Sequence, residues 1–243
     1  MNETVFVAGA SGALGRRLIP LLVEQGYVVL GATRSAERAG RLTAAGAQAI
    51  IVDAFDAEGL RQAIVEARPG LVINQLTSLT GLAKNPGATR SANARLRREG
   101  ARNLMAAALQ AGTRRVIAQS IAWAYAPGEP PYTETRPLDL TARGHRRTTI
   151  VDGVVPLEQA TLTTRGVEGV VLRYGQLYGP GAWNQFPEGP SPLHVDAAAH
   201  AAVLAITRGT PGVYNIVEDA SDASNAKAVA ELGWRPDYRR VGG

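Results

Sequence analysis

Gly9, Gly12 and Gly15 stand in the segment VAGASGALGR, between the β-branched run 4–8 and a stretch where Leu14, Leu18, Leu21 and Leu22 recur at helical spacing until Gly26. A strand, a glycine turn and a helix in that order can cradle an anion. Gly9 permits the tight turn, Gly12 removes the Cβ that would hold the backbone away from a pyrophosphate, and Gly15 lets the helix approach the sheet. Ser11, Ala13 and Leu14 complete the turn, and the unpaired N–H groups of the helix start then face phosphate oxygens. The chemistry implied is dinucleotide binding.

At the end of the second β-like run a site for NAD usually offers an acidic residue to the adenosine ribose, but Gly31-Ala32-Thr33-Arg34-Ser35 offers none. Arg34 is instead a guanidinium fork for a 2′-phosphate, with Thr33 or Ser35 supplying a hydroxyl and Arg38 a second cation. NADP(H) is therefore the expected cofactor, with NAD(H) second. Other chemistries are poorly supplied. The absence of cysteine excludes disulfides, thiolate zinc sites, Fe–S clusters and a cysteine nucleophile. His194 and His200 flank Asp196 without a third ligand or metal-binding spacing, so no metal is expected. His145 precedes Arg146 and Arg147, a cluster that either receives an anionic or phenolic substrate or is an ordinary basic loop.

The elements that must position these residues alternate along the chain. Short β-rich runs at 4–8, 27–32, 48–52, 71–74, 114–120, 167–173 and 212–217 are separated by helical patterns at 14–25, 36–45, 58–67, 92–110, 150–162 and 195–206, with a last helix at 226–232. Such alternation predicts an α/β fold, a doubly wound parallel sheet covered on both faces. The Pro/Gly-rich stretches 127–137 and 178–192 follow predicted strands, where the carboxyl ends of a parallel sheet form a binding crevice. The 243 residues are read as a single domain. A formal net charge of +5 comes from arginines scattered over the whole length, so no nucleic-acid partner is expected. Neither a leader pattern nor a long apolar run is evident, and a cytoplasmic protein with no membrane partner is the expectation.

The chain resembles the extended or atypical branch of the short-chain dehydrogenase/reductase superfamily, the NAD(P)-dependent epimerase/dehydratase-like proteins. The resemblance rests on GASGALG at 9–15, Val52-Asp53, Gln75-Leu76-Thr77, QSIAWAY at 119–125, LRYGQLYGPG at 172–181, His194-Val195-Asp196, GVYNI at 212–216 and SNAKAVAELGWRP at 224–236. It implies a Rossmann-type fold with a small, reduced carboxy-terminal substrate lobe built around 176–196 and 218–243. It also implies a cofactor site that includes Asp53, Ala54, Gln75, Leu76, Thr77 and Tyr174, a small-molecule substrate, and a homodimer.

In that family the acid/base group is a Ser or Thr at the end of the fifth strand with a Tyr-x-x-x-Lys on the next long helix. Ser120 resembles the first. The pair is missing: Ile150 and Val154 stand where the resemblance places Tyr and Lys, and the chain has only Lys84 and Lys227. Ser120 is thus expected to hold a substrate carbonyl, and Tyr125 to donate the proton. The functional expectation is an NADP(H)-dependent oxidoreductase or epimerase/dehydratase-like enzyme for a small oxygenated or sugar-related substrate. The alternative is a non-catalytic NAD(P)-binding redox sensor or regulator.

Overall fold

Seven strands form one parallel sheet in the order β3-β2-β1-β4-β5-β6-β9. In this computed structural model, which describes residues 3–240, the strands are β1 (Thr4–Ala8), β2 (Val28–Thr33), β3 (Gln48–Ile51), β4 (Leu71–Asn74), β5 (Arg115–Ile121), β6 (Glu168–Tyr174) and β9 (Gly212–Ile216). The order reverses direction between β1 and β4, so a crevice opens there above the carboxyl ends of the strands. The central strands β1, β4 and β5 are almost wholly buried, which explains their continuous apolar runs.

Helices cover both faces. On one face α1 (Ala13–Glu24) and α8 (Val195–Leu204) pack Leu14, Leu18, Ile19, Leu22 and the alanines of α8 against Val5, Val7, Ile73, Ile117 and Leu172. On the other, α3 (Ala57–Ala67) and α5 (Ala101–Ala111) bury Leu60, Ile64, Leu104 and Met105 against Phe6, Val72 and Val116. Each such side chain contributes about 1.5–3 kcal/mol on burial. The short α2 (Ala36–Ala44) follows β2 and is capped by Ser35, whose hydroxyl accepts from the Arg38 N–H at 3.3 Å.

Two helices differ from expectation in a way that matters for the crevice. The helix expected at 92–110 starts earlier, as α4 (Pro86–Arg95), and passes through a π turn, Leu96–Gly100, before α5. Asn85 caps it, and Pro86 sits at its first turn. The helix expected at 150–162 likewise starts earlier, as α6 (Gly144–Thr149), and passes through a π turn, Ile150–Val154, into α7 (Val155–Thr163). Pro156, which has no N–H for the carbonyl four residues back, lies just past this turn. The second π turn packs on the end of α4 and on the first π turn, since a Cβ on Gly153 would stand 3.1 Å from Ala94 Cα and 3.6 Å from Arg97 Cδ. Segments of this kind recur at functional sites.

A second small sheet was not legible in the sequence. It pairs β7 (Gln176–Tyr178) in parallel with β8 (Pro192–His194), and it ties the 179–191 loop above the end of β6. The last expected helix is a single π turn, Ala228–Leu232, stopped by Gly233. Of the carboxy-terminal lobe expected at 218–243, residues 241–243 lie outside the described residues. Among the described residues no helix is long and apolar enough to cross a membrane.

Candidate active site

The glycine turn is built as an anion cradle. Gly9 has φ +82°, and a Cβ there would stand 2.5 Å from the Gln75 carbonyl oxygen, so the turn needs glycine to pass beside β4. Gly12 donates its N–H to the Gly9 carbonyl and begins α1 with no side-chain cap. The intrahelical ladder starts only with the Arg16 N–H on the Gly12 carbonyl, which leaves the N–H groups of Ala13, Leu14 and Gly15 free of intrahelical partners. Those donors and the positive end of α1 point at the crevice.

A cavity of about 1340 Å³ runs from the cradle across the carboxyl ends of β2, β4, β5 and β6. Every residue expected to bind the cofactor lines it: Gly9, Ser11, Gly12, Ala13, Leu14 and Gly15 at the turn, Thr33, Arg34, Ser35 and Arg38 after β2, Asp53 and Ala54 after β3, Gln75, Leu76 and Thr77 after β4, and Tyr174 at the end of β6. The loops are locked locally. Asn74 Oδ1 accepts from the Leu76 N–H at 3.1 Å, Asn93 Oδ1 from the Ser78 N–H at 2.8 Å, and Asn103 Nδ2 donates to the Ala54 carbonyl at 2.9 Å. The residues present fit a dinucleotide, with a pyrophosphate over Gly12 and the adenosine toward Arg34 and Asp53. Arg34 lies 3.8 Å from Asp53, an exposed pair too weak to hold the guanidinium away from a phosphate.

The expected catalytic pair is not on this cavity. Successive side chains of a strand point to opposite faces, and at the end of β5 Gln119, Ile121 and then Trp123 line the cavity while Ser120 points the other way. Ser120 is fully buried and donates to Glu158 Oε1 at 2.6 Å. Glu158, on α7, also holds Arg173 of β6 through Nε at 2.9 Å and an NH₂ nitrogen at 2.6 Å, so the hydroxyl belongs to a closed polar cluster. Burial alone would push the Arg173 guanidinium down, but the Glu158 carboxylate outweighs it and keeps Arg173 charged. Tyr125 is also withdrawn: its hydroxyl donates to Asn215 Oδ1 at 2.5 Å and Arg173 stacks over its ring at 4.8 Å. Burial raises the Tyr125 pKa, which makes it a poorer acid. Both assignments are therefore corrected, and Ile121, one residue beyond Ser120, is the strand-end side chain that meets the cavity.

Ser120→Ala is accordingly expected to cost about 1–3 kcal/mol of stability through the lost bond to a buried carboxylate, with cofactor affinity unchanged. Thermal unfolding beside a nicotinamide-dinucleotide titration checks this. An unchanged melting temperature with a lost cofactor complex would return Ser120 to the site.

Ile150 and Val154 are fully buried in the π turn and absent from the cavity wall. The cavity residues include no His, Lys, Cys or Glu, one carboxylate (Asp53, at the adenosine end) and one phenol, Tyr174. Burial raises the Tyr174 pKa, and its hydroxyl accepts from Gln75 Nε2 at 3.3 Å. One group went unnoticed in the sequence: Arg97, 4% exposed, on the cavity wall in the first π turn. Its signal was present, because Ala94, Arg97, Ala101, Leu104 and Ala108 form one buried stripe at helical spacing.

A parallel sheet with a 3-2-1-4-5-6 core and a glycine-turn cavity at its switch point defines a dinucleotide-binding protein of the Rossmann class. Residues 5–211 match the NAD dependent epimerase/dehydratase family, and the chain belongs to it, as the resemblance implied. It is similar to a 3-diazoavenalumate denitrifying reductase from a Streptomyces species, 36% identical over 257 aligned positions covering 98% of this chain and 81% of that protein. Its fold is that of UDP-glucose 4-epimerase from Thermotoga maritima, with a TM-score of 0.75 at 17% identity over 97% of this chain and 94% of that one. The UDP-glucose 4-epimerase of Thermus thermophilus, in complex with NAD, superposes with a TM-score of 0.74 at 20% identity over 98% and 95%. A nicotinamide dinucleotide is thus the supported cofactor.

Proposed function

We propose that the protein is an NADP(H)-dependent reductase that delivers hydride to an acceptor needing no proton from the protein. The observation that carries this reading is the pairing of a complete dinucleotide cradle with a reacting end that has lost its proton relay. The bound cofactor supplies hydride at its nicotinamide ring. The chain supplies orientation through the cradle and an apolar wall of Ile121, Trp123 and Leu76 that limits water. A carbonyl reduced in this setting would take its proton from solvent. A diazonium carbon needs none: hydride takes the place of the departing dinitrogen, R–N₂⁺ + H⁻ → R–H + N₂, and charge balances without an acid. The name of the 36% identical relative, a denitrifying reductase of a diazo-substituted acid, supports that class of acceptor.

The test is oxidation of NADPH by the purified protein in the presence of a diazo-substituted aromatic acid, followed by loss of reduced-nicotinamide absorbance and by mass spectrometry of the dinitrogen released. Deuterium carried on the nicotinamide should appear on the product carbon. No NADPH oxidation with this substrate or with a panel of aldehydes and ketones would defeat the reductase reading in favour of a sensor.

The preference for NADP(H) rests on Arg34, Arg38 and Arg41 lining the cavity beyond β2, with Ser35 beside them. A charge-assisted bond to a 2′-phosphate contributes about 1.5–3 kcal/mol. Arg34→Ala is therefore expected to weaken NADP(H) by roughly 10–100-fold and NAD(H) little. Calorimetric titration of both dinucleotides checks it, and equal affinities for the two in the unaltered protein would overturn the preference.

A further inference from the structure

Arg97 carries a buried guanidinium, 4% exposed, whose Nε has no hydrogen-bond partner among the described residues. Its stem lies over the second π turn, where a Cβ on Gly153 would come within 3.6 Å of Arg97 Cδ. Its nearest charge influence is Glu158, which is already committed to Arg173 and Ser120. Burial pushes its pKa down to about 10, so it is still protonated at neutral pH. A buried charge left unpaired is strongly unfavourable unless something completes it.

The cavity wall shows what would complete it. Six arginines line the cavity against the single carboxylate of Asp53. Arg16, Arg34, Arg38 and Arg41 surround the glycine turn and the end of β2, where a dinucleotide places its phosphates. Arg90 and Arg97 come from α4 and its π turn, and Leu79, Leu82, Ile121 and Trp123 line the same cavity. Neither belongs to the glycine turn or to the loop after β2 that would hold the dinucleotide's phosphates. A planar apolar body with an oxyanion would account for them: the ring packs on Trp123 and the aliphatic side chains, and the oxyanion accepts the guanidinium fork.

We infer that Arg97 is the substrate-recognition residue of this cavity and that the substrate is an aromatic oxyanion, a carboxylate or an acidic phenolate, paired with its guanidinium beside the nicotinamide-binding end. This deepens the reductase reading and rests on it for the identity of the site.

The experiment is a calorimetric titration of the protein with cinnamate, cinnamamide and 4-nitrophenolate, with and without saturating NADP⁺. Unaltered protein should bind at least one of the two anions roughly 10–100-fold more tightly than the neutral amide. Tighter cinnamate identifies a carboxylate, and tighter 4-nitrophenolate a phenolate. Arg97→Met, which keeps the stem, should erase the preference for the anion while NADP⁺ affinity holds, and Arg97→Lys should retain part of it. Its thermal stability should hold or rise, because an uncompensated buried charge has gone. Equal binding of anions and amide by the unaltered protein, or undiminished anion binding by folded Arg97→Met, would overturn the inference. An Arg97→Met chain that fails to fold would also overturn it, since the guanidinium would then be a structural partner. Arg97-dependent anion binding without any NADP⁺ binding would sink the reductase reading and leave the anion site standing.

Discussion

Gly12→Val is expected to abolish dinucleotide binding in a protein that still folds. Gly12 has φ −77° and ψ 178°, a backbone that any L residue adopts, and an added Cβ meets only the Gly9 carbonyl oxygen at 3.2 Å. The fold therefore tolerates a side chain there, at the cost of a slight shift in the turn. The cofactor does not, because the branched side chain would occupy the cavity at the start of α1, where the pyrophosphate meets the free N–H groups of Ala13 and Leu14. Losing two charge-assisted bonds of about 1.5–3 kcal/mol each lowers affinity by roughly 100-fold or more. Gly15→Ala should behave differently. Its Cβ would stand 2.3 Å from the Ala10 carbonyl oxygen, so the turn and the start of α1 must move apart and both stability and binding fall. Circular dichroism and thermal unfolding beside a cofactor titration separate the two, and full affinity in a folded Gly12→Val protein would remove the cradle from the cofactor site.

Breaking the Glu158–Arg173 pair should produce the largest loss of stability of any single change proposed for this chain. The two side chains are 6% and 5% exposed, bonded through two nitrogens, and roofed by α7. Arg173→Met leaves the Glu158 carboxylate buried with only the Ser120 hydroxyl, a change that costs about 3–5 kcal/mol. In a domain of this size that lowers the melting temperature by roughly 6–20 °C. Removing both charges together, Arg173→Met with Glu158→Leu, should recover most of the loss, because a well-packed apolar pair avoids the desolvation that the ion pair only offsets. Thermal melts of the two single variants and the double variant form the cycle. If the double variant is as unstable as the sum of the singles, the pair is not a coupled unit.

The cluster also explains why the serine at the end of β5 misled a reading by resemblance. Ser120 pairs in register with Arg173, and Arg173 with Asn215, so the three form one polar row across β5, β6 and β9 on a single face of the sheet. Asn215 binds Tyr125 and, through its Nδ2, the carbonyls of Tyr132 and Ser224, joining the 126–137 and 218–224 segments beneath the surface. Serine, tyrosine and arginine are used here to close a buried network. Ile121, Trp123, Thr149 and Arg97 line the cavity in their place.

The parallel α/β architecture and the glycine turn were legible because they are written in neighbours along the chain: β-branched runs that prefer extended backbone, glycines where a Cβ would clash, and leucines at helical spacing. Three things were not. The side of the sheet that Ser120 faces depends on where β5 ends and on its register with a strand more than fifty residues later. The π turns depend on two helices docking at Gly153 and Ala94. The pairing of Glu158 with Arg173, and not with the buried Arg97, depends on how α7 meets β6. Each is a property of long-range pairing, in which a buried charge or hydroxyl finds its partner only when distant segments meet. No local preference of an isolated segment encodes which partner that will be.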